Sequence, residues 1–389
     1  MKHHGFHKAV WSFLRVLLGP YIRWRFGYTY EVCKTEGPCL VMGNHDSNWD
    51  PLFLGCAFPN QMYFVASEHI FRWGIVSWIL KVLLAPISRL KGTTAGDTAM
   101  TIIRRLKKGC NVAMFANGSR SFNGISEDIL PSTGKLARVS GATLITYRLD
   151  GGYFTEPRWN FSGIRRGKIR GRVMNIYPPE VLKKMSVDEI NAAINRDLYV
   201  DAYAVQREAM IPFRGKRPAE SLESVLCLCP KCGKMGHMRS ERDMFRCLNC
   251  GYELRYDEYG FFRGSDVVFD NVTDWDIYQS GQLREMADNA GENELIFSDD
   301  GFELSIVRAD HSSEKLGSGG IALYPDRFEC CGKVFPLKEL TGFALHGPVA
   351  VNFSHANLSY ELKTGNVICT RKYQTVIHHL LAEKPAMQS

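Results

Sequence analysis

The pattern of apolar and polar positions divides the 389-residue chain into two regions of different character. In roughly the first 210 residues, short apolar runs such as "CLVMG" and "NVAMF" alternate with longer stretches in which apolar positions recur every three to four residues. Such runs are typical of buried strands, and the longer period is typical of helices. Strands that alternate with helices predict an α/β sandwich, which we assign to residues 31–212.

The predicted elements of this first region follow one another without an internal repeat. Strands are predicted at "CLVMGNH", "QMYFVAS", "APISRL", "NVAMFAN" and "ATLITYRL". Helices are predicted over residues 72–84, 94–108 and 135–140. No Gly-x-Gly-x-x-Gly and no Walker A sequence follows any of these strands, so a nucleotide-binding fold is not expected.

After the polar linker "PFRGKRPAESLES" the pattern changes. A cysteine-rich segment covers residues 225–258. From residue 259 onward, apolar and polar residues alternate over short runs separated by Gly, Asp and Asn, and "RKYQTVIHHLLAEK" has the period of a closing helix. We therefore predict a small β-rich domain over residues 259–389, whose order of strands before a helix is loosely similar to pleckstrin-homology-like domains.

The first 30 residues are predicted to form an interfacial membrane helix. In "FHKAVWSFLRVLLGPYIRWRFGY", aromatic and apolar residues are interleaved with Arg15, Arg23 and Arg25, and no acidic residue is present. A helix packed in a soluble core is the alternative. Residues 71–90 have a similar composition and fit a membrane interface and a soluble core equally well. Since no run reaches 18 apolar residues, a helix that crosses a bilayer is not expected.

Charge and cysteine content narrow the choice of partner and compartment. The formal net charge is +7, and residues 1–110 hold 14 Lys or Arg against 6 Asp or Glu. Such a basic surface favours phosphate-bearing partners, namely anionic phospholipids, nucleic acids or phosphorylated small molecules. The N-terminus lacks the apolar core and cleavage site of a signal peptide, so the twelve cysteines indicate a reducing cytosol. The expected location is the cytoplasmic face of the cell membrane, with peripheral attachment.

The segment "MGNHDSNWDP" contains a histidine and an aspartate, His45 and Asp50, at a spacing suited to acid–base chemistry. Imidazole has an unperturbed pKa of about 6.5 and is a good general base, and a carboxylate on its second ring nitrogen fixes its tautomer. Asp50 also precedes Pro51, which is typical of a helix start with Asp as the N-cap. The two roles are compatible, because a carboxylate has several lone pairs.

Two later loops carry groups that are suited to bind phosphate. "PISRLKG" places Arg89 and Lys91 at a strand end, and "NGSRSFNG" places Arg120 in a turn rich in Gly and Ser. Guanidinium groups and the backbone N–H groups of such turns bind phosphate oxygens. For either loop alone the alternative is a solvated surface charge, but three polar loops in this order favour one shared site.

The ordered set resembles the lysophospholipid acyltransferase family, whose best-known members are the 1-acylglycerol-3-phosphate acyltransferases. "NHDSNWDP", "PISR", "FANGSRS" and "GATLITYRLDG" are similar to four successive blocks of that family, over roughly residues 30–165. The resemblance implies a glycerolipid acyltransferase-like α/β sandwich. It also implies transfer of a fatty acyl group, in phospholipid synthesis, from acyl-CoA or acyl carrier protein to the hydroxyl of a lysophospholipid.

The resemblance further implies a role for each matched residue. His45 would accept the proton of the acceptor hydroxyl, and Asp50 would orient and stabilise the resulting imidazolium. Arg89 and Arg120 would hold the acceptor's phosphate, with help from the Gly118–Ser119 backbone, and Asn117 would complete the substrate-binding group. No covalent acyl-enzyme is required, since holding hydroxyl and thioester together already removes most of the association entropy.

Two neighbouring positions depart from the family pattern. Asn117 stands where the family has glutamate, and Ala116 stands where it has proline. Asparagine keeps an acceptor oxygen but carries no charge, so an ion pair with Arg89 would become a neutral-to-charged hydrogen bond. The expected acceptor is 1-acylglycerol-3-phosphate. The alternative is a non-catalytic or altered-substrate membrane lipid-binding protein of the same fold.

The cysteine-rich segment has the spacing of a metal site. The pattern Cys-x2-Cys-x14-Cys-x2-Cys is formed by Cys229, Cys232, Cys247 and Cys250. Four thiolates complete a tetrahedral Zn²⁺ shell with no open position, so the pattern resembles a structural zinc ribbon. Redox dithiols or disulfides are the alternative, and Cys227 and His237 are expected to be non-ligands. The segment is only mildly basic, so nucleic acid is not the expected partner.

Overall fold

The chain forms two compact units in a computed structural model. This structure describes residues 4–67, 70, 74–89, 95–308, 312–347 and 349–382. The first unit comprises residues 1–158 and 163–215, and the second comprises residues 159–162 and 216–389. Lys91, Arg72 and part of the segment 71–90 lie outside the described residues.

The first unit is an α/β sandwich. Its described helices are α1 His4–Phe26, α2 Asp50–Ala57, α3 Ile75–Leu83, α4 Ala95–Lys107, α5 Ser132–Ser140, α6 Gly152–Thr155, α7 Pro179–Lys184, α8 Val187–Leu198 and α9 Ala202–Ala209. Its strands are β1 Tyr28–Tyr30, β2 Cys39–Gly43, β3 Met62–Ser67, β4 Ile87–Arg89, β5 Asn111–Phe115, β6 Thr143–Asp150 and β7 Ile169–Tyr177. The strands form one sheet in the order β1-β7-β6-β2-β5-β3-β4. The predicted α/β architecture is confirmed.

Strand β2 lies inside this sheet, parallel to both of its neighbours, β5 and β6. Its side chains alternate between two cores. Cys39 and Val41 pack with residues of α1 and α2, whereas Leu40 and Met42 pack with residues of α4, α5 and α8. A strand covered by helices on both faces has no polar side, which explains why "CLVM" is an uninterrupted apolar run.

Helix α1 combines a buried stripe with an exposed one. Trp11, Ile22 and Phe26 are buried in the core of the first unit. The opposite stripe is exposed and also apolar, and it consists of Phe6, Phe13, Val16, Leu17, Tyr21 and Trp24. Arg15 donates hydrogen bonds to the carbonyls of Gly55 and Cys56, at the end of α2. No described helix has an apolar stretch long enough to span a bilayer.

The second unit contains two antiparallel sheets. The smaller one has the order β11-β10-β9-β8, with β8 Met238–Glu241, β9 Met244–Cys247, β10 Glu253–Tyr256 and β11 Phe262–Arg263. The larger one has the order β15-β14-β13-β12-β18-β17-β16. Its strands are β12 Phe297–Val307, β13 Ser313–Leu323, β14 Arg327–Cys330, β15 Lys333–Pro336, β16 Thr341–His346, β17 Ala350–His355 and β18 Leu358–Thr364. Its β-rich character and the closing helix, α11 Arg371–Ala382, agree with the sequence pattern.

A second helix in this unit, α10 Val272–Asp288, is absent from the sequence predictions. Its buried face includes the polar residues Thr273, Asp276 and Gln279. Asp276 forms an ion pair with Arg371 of α11, and Gln279 accepts a hydrogen bond from the backbone N–H of Cys227. Because these buried positions are polar, the helical period of apolar residues is obscured in the sequence.

Candidate functional site

Three loops of the first unit meet at one edge of its sheet. They follow β2, β5 and β6, which are neighbouring parallel strands, so their carboxyl ends lie side by side. Open α/β sheets commonly place their functional groups at this edge. The loop after β2 carries His45, the loop after β5 carries Arg120, and the segment after β6 carries Glu156.

His45 and Asp50 form a hydrogen-bonded pair. Nδ1 of His45 lies 2.8 Å from Oδ2 of Asp50, whose side chain is completely buried. The imidazole stacks on the ring of Phe115, with 4.4 Å between the ring centroids. Its side chain is 23% exposed, and Nε2 makes no hydrogen bond to the described part of the chain. A held Nδ1 and an open Nε2 are what a general base requires.

The Asp50 carboxylate is held by its own loop. Oδ2 also accepts hydrogen bonds from the backbone N–H groups of Asp46, at 2.7 Å, and Ser47, at 2.9 Å. Oδ1 accepts a hydrogen bond from the Ser47 hydroxyl. Asp50 is the first residue of α2, and Trp49 occupies the N-cap position. The predicted helix cap is therefore wrong, because a fully buried carboxylate is satisfied by the loop that precedes the helix rather than by the first helical turn.

Two further residues of this loop are missing from the sequence predictions. Asn44 is buried and joins the loop to β6, since its amide donates to the Leu149 carbonyl and accepts from the Leu149 N–H. It also donates to Asp46 at 2.9 Å. Burial, followed by the neighbouring carboxylates of Asp50 and Asp150, raises the pKa of Asp46 well above its ordinary value.

The turn after β5 brings Gly118 into close contact with Arg89. Gly118 has a φ of +71°, a left-handed conformation that favours glycine. A Cβ atom at this position would lie 2.8 Å from Nη1 of Arg89, so the Arg89 guanidinium lies directly against Gly118. Ser119 follows in the same turn and is half-buried. The structure therefore brings Arg89, at the end of β4, to the Gly118–Ser119 backbone.

Arg120 lies between the histidine loop and the segment after β6. Its Nη2 donates to the backbone carbonyl of Glu156 at 3.2 Å, and its Nη1 lies 3.7 Å from Oε2 of the same residue. The next residue, Ser121, donates its backbone N–H to the His45 carbonyl at 3.0 Å. Arg158 donates to the Arg120 carbonyl at 3.1 Å. The loop that carries His45 and the predicted phosphate ligand Arg120 thus belong to a single hydrogen-bonded assembly.

Asn117 does not make the predicted hydrogen bond to Arg89. Its amide donates to the backbone carbonyl of Glu127, and its Oδ1 is buried without a hydrogen-bond partner in the described part of the chain. It lines a cavity of about 210 Å³ together with Ser126, Glu127, Asp128, Asn195, Arg196 and Tyr199. An uncharged amide is not drawn to a guanidinium as a carboxylate is, so a nearby backbone carbonyl takes its N–H group.

Glu156 is a third polar residue of this site that sequence reasoning missed. Its carboxylate accepts hydrogen bonds from the backbone N–H of Asn48, at 2.8 Å, and from the Asn48 side chain, at 3.0 Å. Neither contact follows from spacing, since the two residues are 108 positions apart. The available signal is topological: β6 pairs with β2, which places the segment after β6 beside the histidine loop.

The four cysteines of the second unit form a compact group. The two Cys-x-x-Cys turns have matching backbone bonds: Cys229 and Cys247 each accept from the N–H of the glycine four residues later, Gly233 or Gly251. The four sulfur atoms lie within 4.8 Å of one another. Cys227 is not part of this group, and its thiol lies against Gln279.

The sulfur positions fit a tetrahedral metal ion. Sγ of Cys229 is 3.7 Å from Sγ of Cys250, and Sγ of Cys232 is 3.8 Å from Sγ of Cys247. A regular tetrahedron with Zn–S bonds of about 2.3 Å has edges of about 3.8 Å. The backbone N–H of Lys234 lowers the pKa of the Cys232 thiol to about 6, which favours the thiolate that a metal requires. The four cysteines form no disulfide, and they can hold a metal ion.

Comparison with known proteins agrees with this site. A family model described as Acyltransferase matches residues 27–150. Over 170 residues, the chain is 20% identical to a chloroplastic 1-acyl-sn-glycerol-3-phosphate acyltransferase of Brassica napus and 21% identical to one of Arabidopsis thaliana. These matches cover 43% of this chain, and 48% and 47% of the two plant proteins. The chain thus spans about half the length of the curated relatives it matches.

A solved structure is also similar to part of the chain. It is the 1-acyl-sn-glycerophosphate (LPA) acyltransferase from Thermotoga maritima, with 19% sequence identity and a TM-score of 0.43. The similarity covers 52% of this chain and 80% of that one. The family match to residues 27–150 includes His45, Asp50, Arg89 and Arg120. Residues 27–150 are therefore the part of the chain that matches the acyltransferase family.

Proposed function

We propose that this protein transfers a fatty acyl group from an acyl thioester to the hydroxyl of a lysophospholipid at a membrane surface. The observation that carries the proposal is the 2.8 Å pair of His45 and the buried Asp50, within a segment that matches the acyltransferase family. The plant relatives are named as 1-acyl-sn-glycerol-3-phosphate acyltransferases, which supports that acceptor class.

The chemistry requires one proton transfer in each direction. Nε2 of His45 takes the proton of the acceptor hydroxyl, and the oxygen attacks the thioester carbonyl carbon. The C–S bond then breaks, and the departing thiolate receives the proton from the imidazolium. Asp50 keeps the proton on Nδ1 and stabilises the imidazolium through the 2.8 Å contact. The donor is acyl-CoA or acyl carrier protein, since both present the same thioester.

The acceptor's phosphate is assigned to the two arginines at this edge. Arg89 lies against the Gly118 backbone, and Arg120 lies beside the histidine loop. The turn at Gly118 and Ser119 offers backbone N–H groups, which complement guanidinium donors in phosphate binding. The proposed acceptor is therefore 1-acylglycerol-3-phosphate.

Exposed apolar surface supports peripheral attachment to the membrane. In α3, Ile75 is 75% exposed and Trp78 is 64% exposed, and the apolar stripe of α1 is exposed as well. Neither α1 nor α3 contains an acidic residue. Apolar helices with basic and aromatic residues bind anionic bilayer surfaces, so we assign the protein to the cytoplasmic face of the membrane.

The cysteine group is assigned to structural Zn²⁺. All four positions of a tetrahedron are taken by sulfur, so no position remains for substrate. When bound, the ion would stabilise the two turns that precede β8 and follow β9, which are too short to hold their conformation through a core of their own.

The decisive test is single-turnover thiol release by the purified full-length chain. It is carried out on vesicles of phosphatidylglycerol and phosphatidylethanolamine, with acyl-CoA or acyl carrier protein as donor, and with lysophosphatidic acid or a neutral lysolipid as acceptor. We expect release with lysophosphatidic acid, and a loss on the order of a thousandfold in His45→Ala. His237→Ala, at an exposed histidine in the second unit, is the matched control.

A non-catalytic lipid-binding protein of the same fold is the second candidate, favoured by the uncharged Asn117 and its bond to the Glu127 backbone. It predicts vesicle binding without thiol release for every combination of donor and acceptor. Full activity in His45→Ala would exclude the proposed mechanism, and absence of release from the wild type would favour this second candidate.

A further inference from the structure

Glu156 has contacts that none of the assigned roles explains. It follows α6, at the carboxyl end of β6, and its side chain is 18% exposed. Its carboxylate holds both the backbone and the side chain of Asn48, three residues after the catalytic histidine. Its carbonyl and carboxylate also lie against the two terminal nitrogens of Arg120. One residue therefore contacts both the base-bearing loop and a phosphate-binding arginine.

The turn that carries Arg120 contains no acidic group of its own. Asn117, at the beginning of this turn, is uncharged, and its amide donates to the Glu127 backbone carbonyl. The carboxylate beside Arg120 is instead supplied from another loop, by Glu156. A negative group next to a guanidinium fixes the orientation of its planar set of N–H donors. An arginine side chain that is already oriented loses less conformational entropy when it binds a phosphate.

Arg120 retains donors for a ligand despite these contacts. Nη2 donates to the Glu156 carbonyl, whereas Nη1 is 3.7 Å from the carboxylate, beyond hydrogen-bond distance. Nε has no hydrogen-bond partner in the described part of the chain. A guanidinium has five N–H groups, so the contact with Glu156 orients Arg120 without saturating it.

We propose that Glu156 is a positioning residue, which orients Arg120 toward the acceptor's phosphate and ties this arginine to the histidine loop through Asn48. The inference rests on the proposed acyltransferase function. It predicts that the acceptor's phosphate is recognised by an arginine whose orientation depends on a carboxylate from the loop after β6. A lysolipid acceptor without phosphate should not depend on Glu156.

The test is a double-mutant cycle on the full-length chain, with Glu156→Gln, Arg120→Ala and the double variant. Glutamine keeps an oxygen for Asn48 but loses the charge that orients Arg120. We expect Glu156→Gln to raise KM for lysophosphatidic acid about tenfold, with kcat within about twofold and no change for a neutral lysolipid. In the Arg120→Ala background, the same substitution should have no further effect.

The matched control is Glu180→Gln, at an exposed glutamate of α7 in the same unit. If Glu156→Gln does not fold, Glu156→Asp replaces it in the cycle, because aspartate keeps the charge but shortens the reach to Arg120. An equal effect of the Glu156 substitution with and without Arg120 would overturn the inference, since it would indicate a purely structural role. So would an unchanged or lowered KM.

A binding measurement separates this inference from the proposed function. Calorimetric titration with lysophosphatidic acid micelles is made on the same four proteins of the cycle. If the wild type releases no thiol but binds these micelles, the acyltransferase proposal fails, and the cycle in Kd still tests Glu156. Coupling between Glu156 and Arg120 in Kd would support the inference. Additive effects, or no binding by the wild type, would overturn it.

Discussion

The histidine site and the cysteine group are assembled in different ways. Each Cys-x-x-Cys turn is built locally, with matching backbone bonds and glycines, and the two turns are joined by β8 and β9. The histidine site instead collects loops from β2, β4, β5 and β6, so its members are up to 111 positions apart, from His45 to Glu156. The cysteine group depends on sequence spacing and, in our proposal, on a bound ion, whereas the histidine site depends on the order of strands in a sheet.

The two sites also differ in how they handle negative charge. Asp46 and Asp50 are buried, and their loop supplies most of the compensating hydrogen bonds. The sulfurs of the cysteine group include the exposed Cys250, and their charge is compensated by backbone N–H groups and, in our proposal, by Zn²⁺. Substitutions at the histidine site should therefore mainly affect acyl transfer, and substitutions in the cysteine group should mainly affect local folding.

After the loss expected for His45→Ala, the largest effect is expected for Asp50→Asn. Asparagine lacks the negative charge that stabilises the His45 imidazolium, and its NH2 group, where it replaces Oδ2, donates to Nδ1 and makes the wrong tautomer of His45 accessible. We expect acyl transfer to fall at least about a hundredfold. Single-turnover thiol release measures this, with Asp188→Asn, at an exposed aspartate of α8, as the control. Activity within twofold of wild type would contradict the proposed role.

Weakening the proposed zinc site should change the local folding of the second unit and leave the first unit unchanged. Replacing Cys232 by Ser removes one of four thiolates, so zinc affinity should fall at least about a hundredfold. Hydrogen exchange over residues 227–256 should rise, because the two turns lose the ion that joins them. Native mass spectrometry should find one zinc per wild-type chain. Cys33→Ser, at a half-buried cysteine of the first unit, is the control, and unchanged zinc content in Cys232→Ser would refute the assignment.

Membrane attachment is expected to respond to the exposed residues of the first unit. Replacing Trp78 of α3 by Ser removes a 64% exposed aromatic side chain and should weaken vesicle partitioning about tenfold. Co-sedimentation with phosphatidylglycerol vesicles measures the change. Leu248→Ser, at a 57% exposed leucine of the second unit, should leave partitioning unaltered. Equal losses for the two variants would argue against a specific lipid-binding face.

The smallest effect is a pH-dependent one at Asp46. Its pKa is raised in the folded protein, mainly by burial, so ionisation of this carboxyl destabilises the folded state. Below its ordinary pKa of 3.8 the group is protonated whether the chain is folded or unfolded. As pH rises above that value, Asp46→Asn should gain free energy of unfolding relative to wild type. Urea unfolding at a series of pH values measures the free energy of unfolding of both proteins. If the advantage of Asp46→Asn over wild type shrinks as pH rises, the pKa of Asp46 is not raised in the folded protein.

The sequence predicts those features that depend on neighbours along the chain. Helices α3, α4 and α5 lie where apolar periodicity places them, and the four cysteines follow from their spacing. His45 and Asp50 are also close in sequence, so one loop brings them together. The catalytic roles of His45 and Asp50 and the phosphate-binding role of Arg120 stay predictions that the experiments above test, and the role of Arg89 stays a prediction as well.

The features that sequence reasoning misses depend on the sheet. Asn44 and Glu156 acquire their partners only because β6 lies beside β2. The order of strands is set by the packing of the whole unit, which apolar periodicity does not encode. Helix α10 is missed for a different reason, since its buried face is partly polar. In both cases the decisive contact is polar and long-range.

Hydrogen bonds from Arg15 attach α1 to the last turn of α2. Arg15 of α1 binds one end of α2, and Asp50 begins the other end. Helix α2 has eight residues and is therefore about 12 Å long. If α1 lies in the membrane interface, as we propose, this helix fixes the height of His45 and Asp50 relative to the bilayer. Acyl transfer would then be restricted to hydroxyl groups at the level of the lipid head groups.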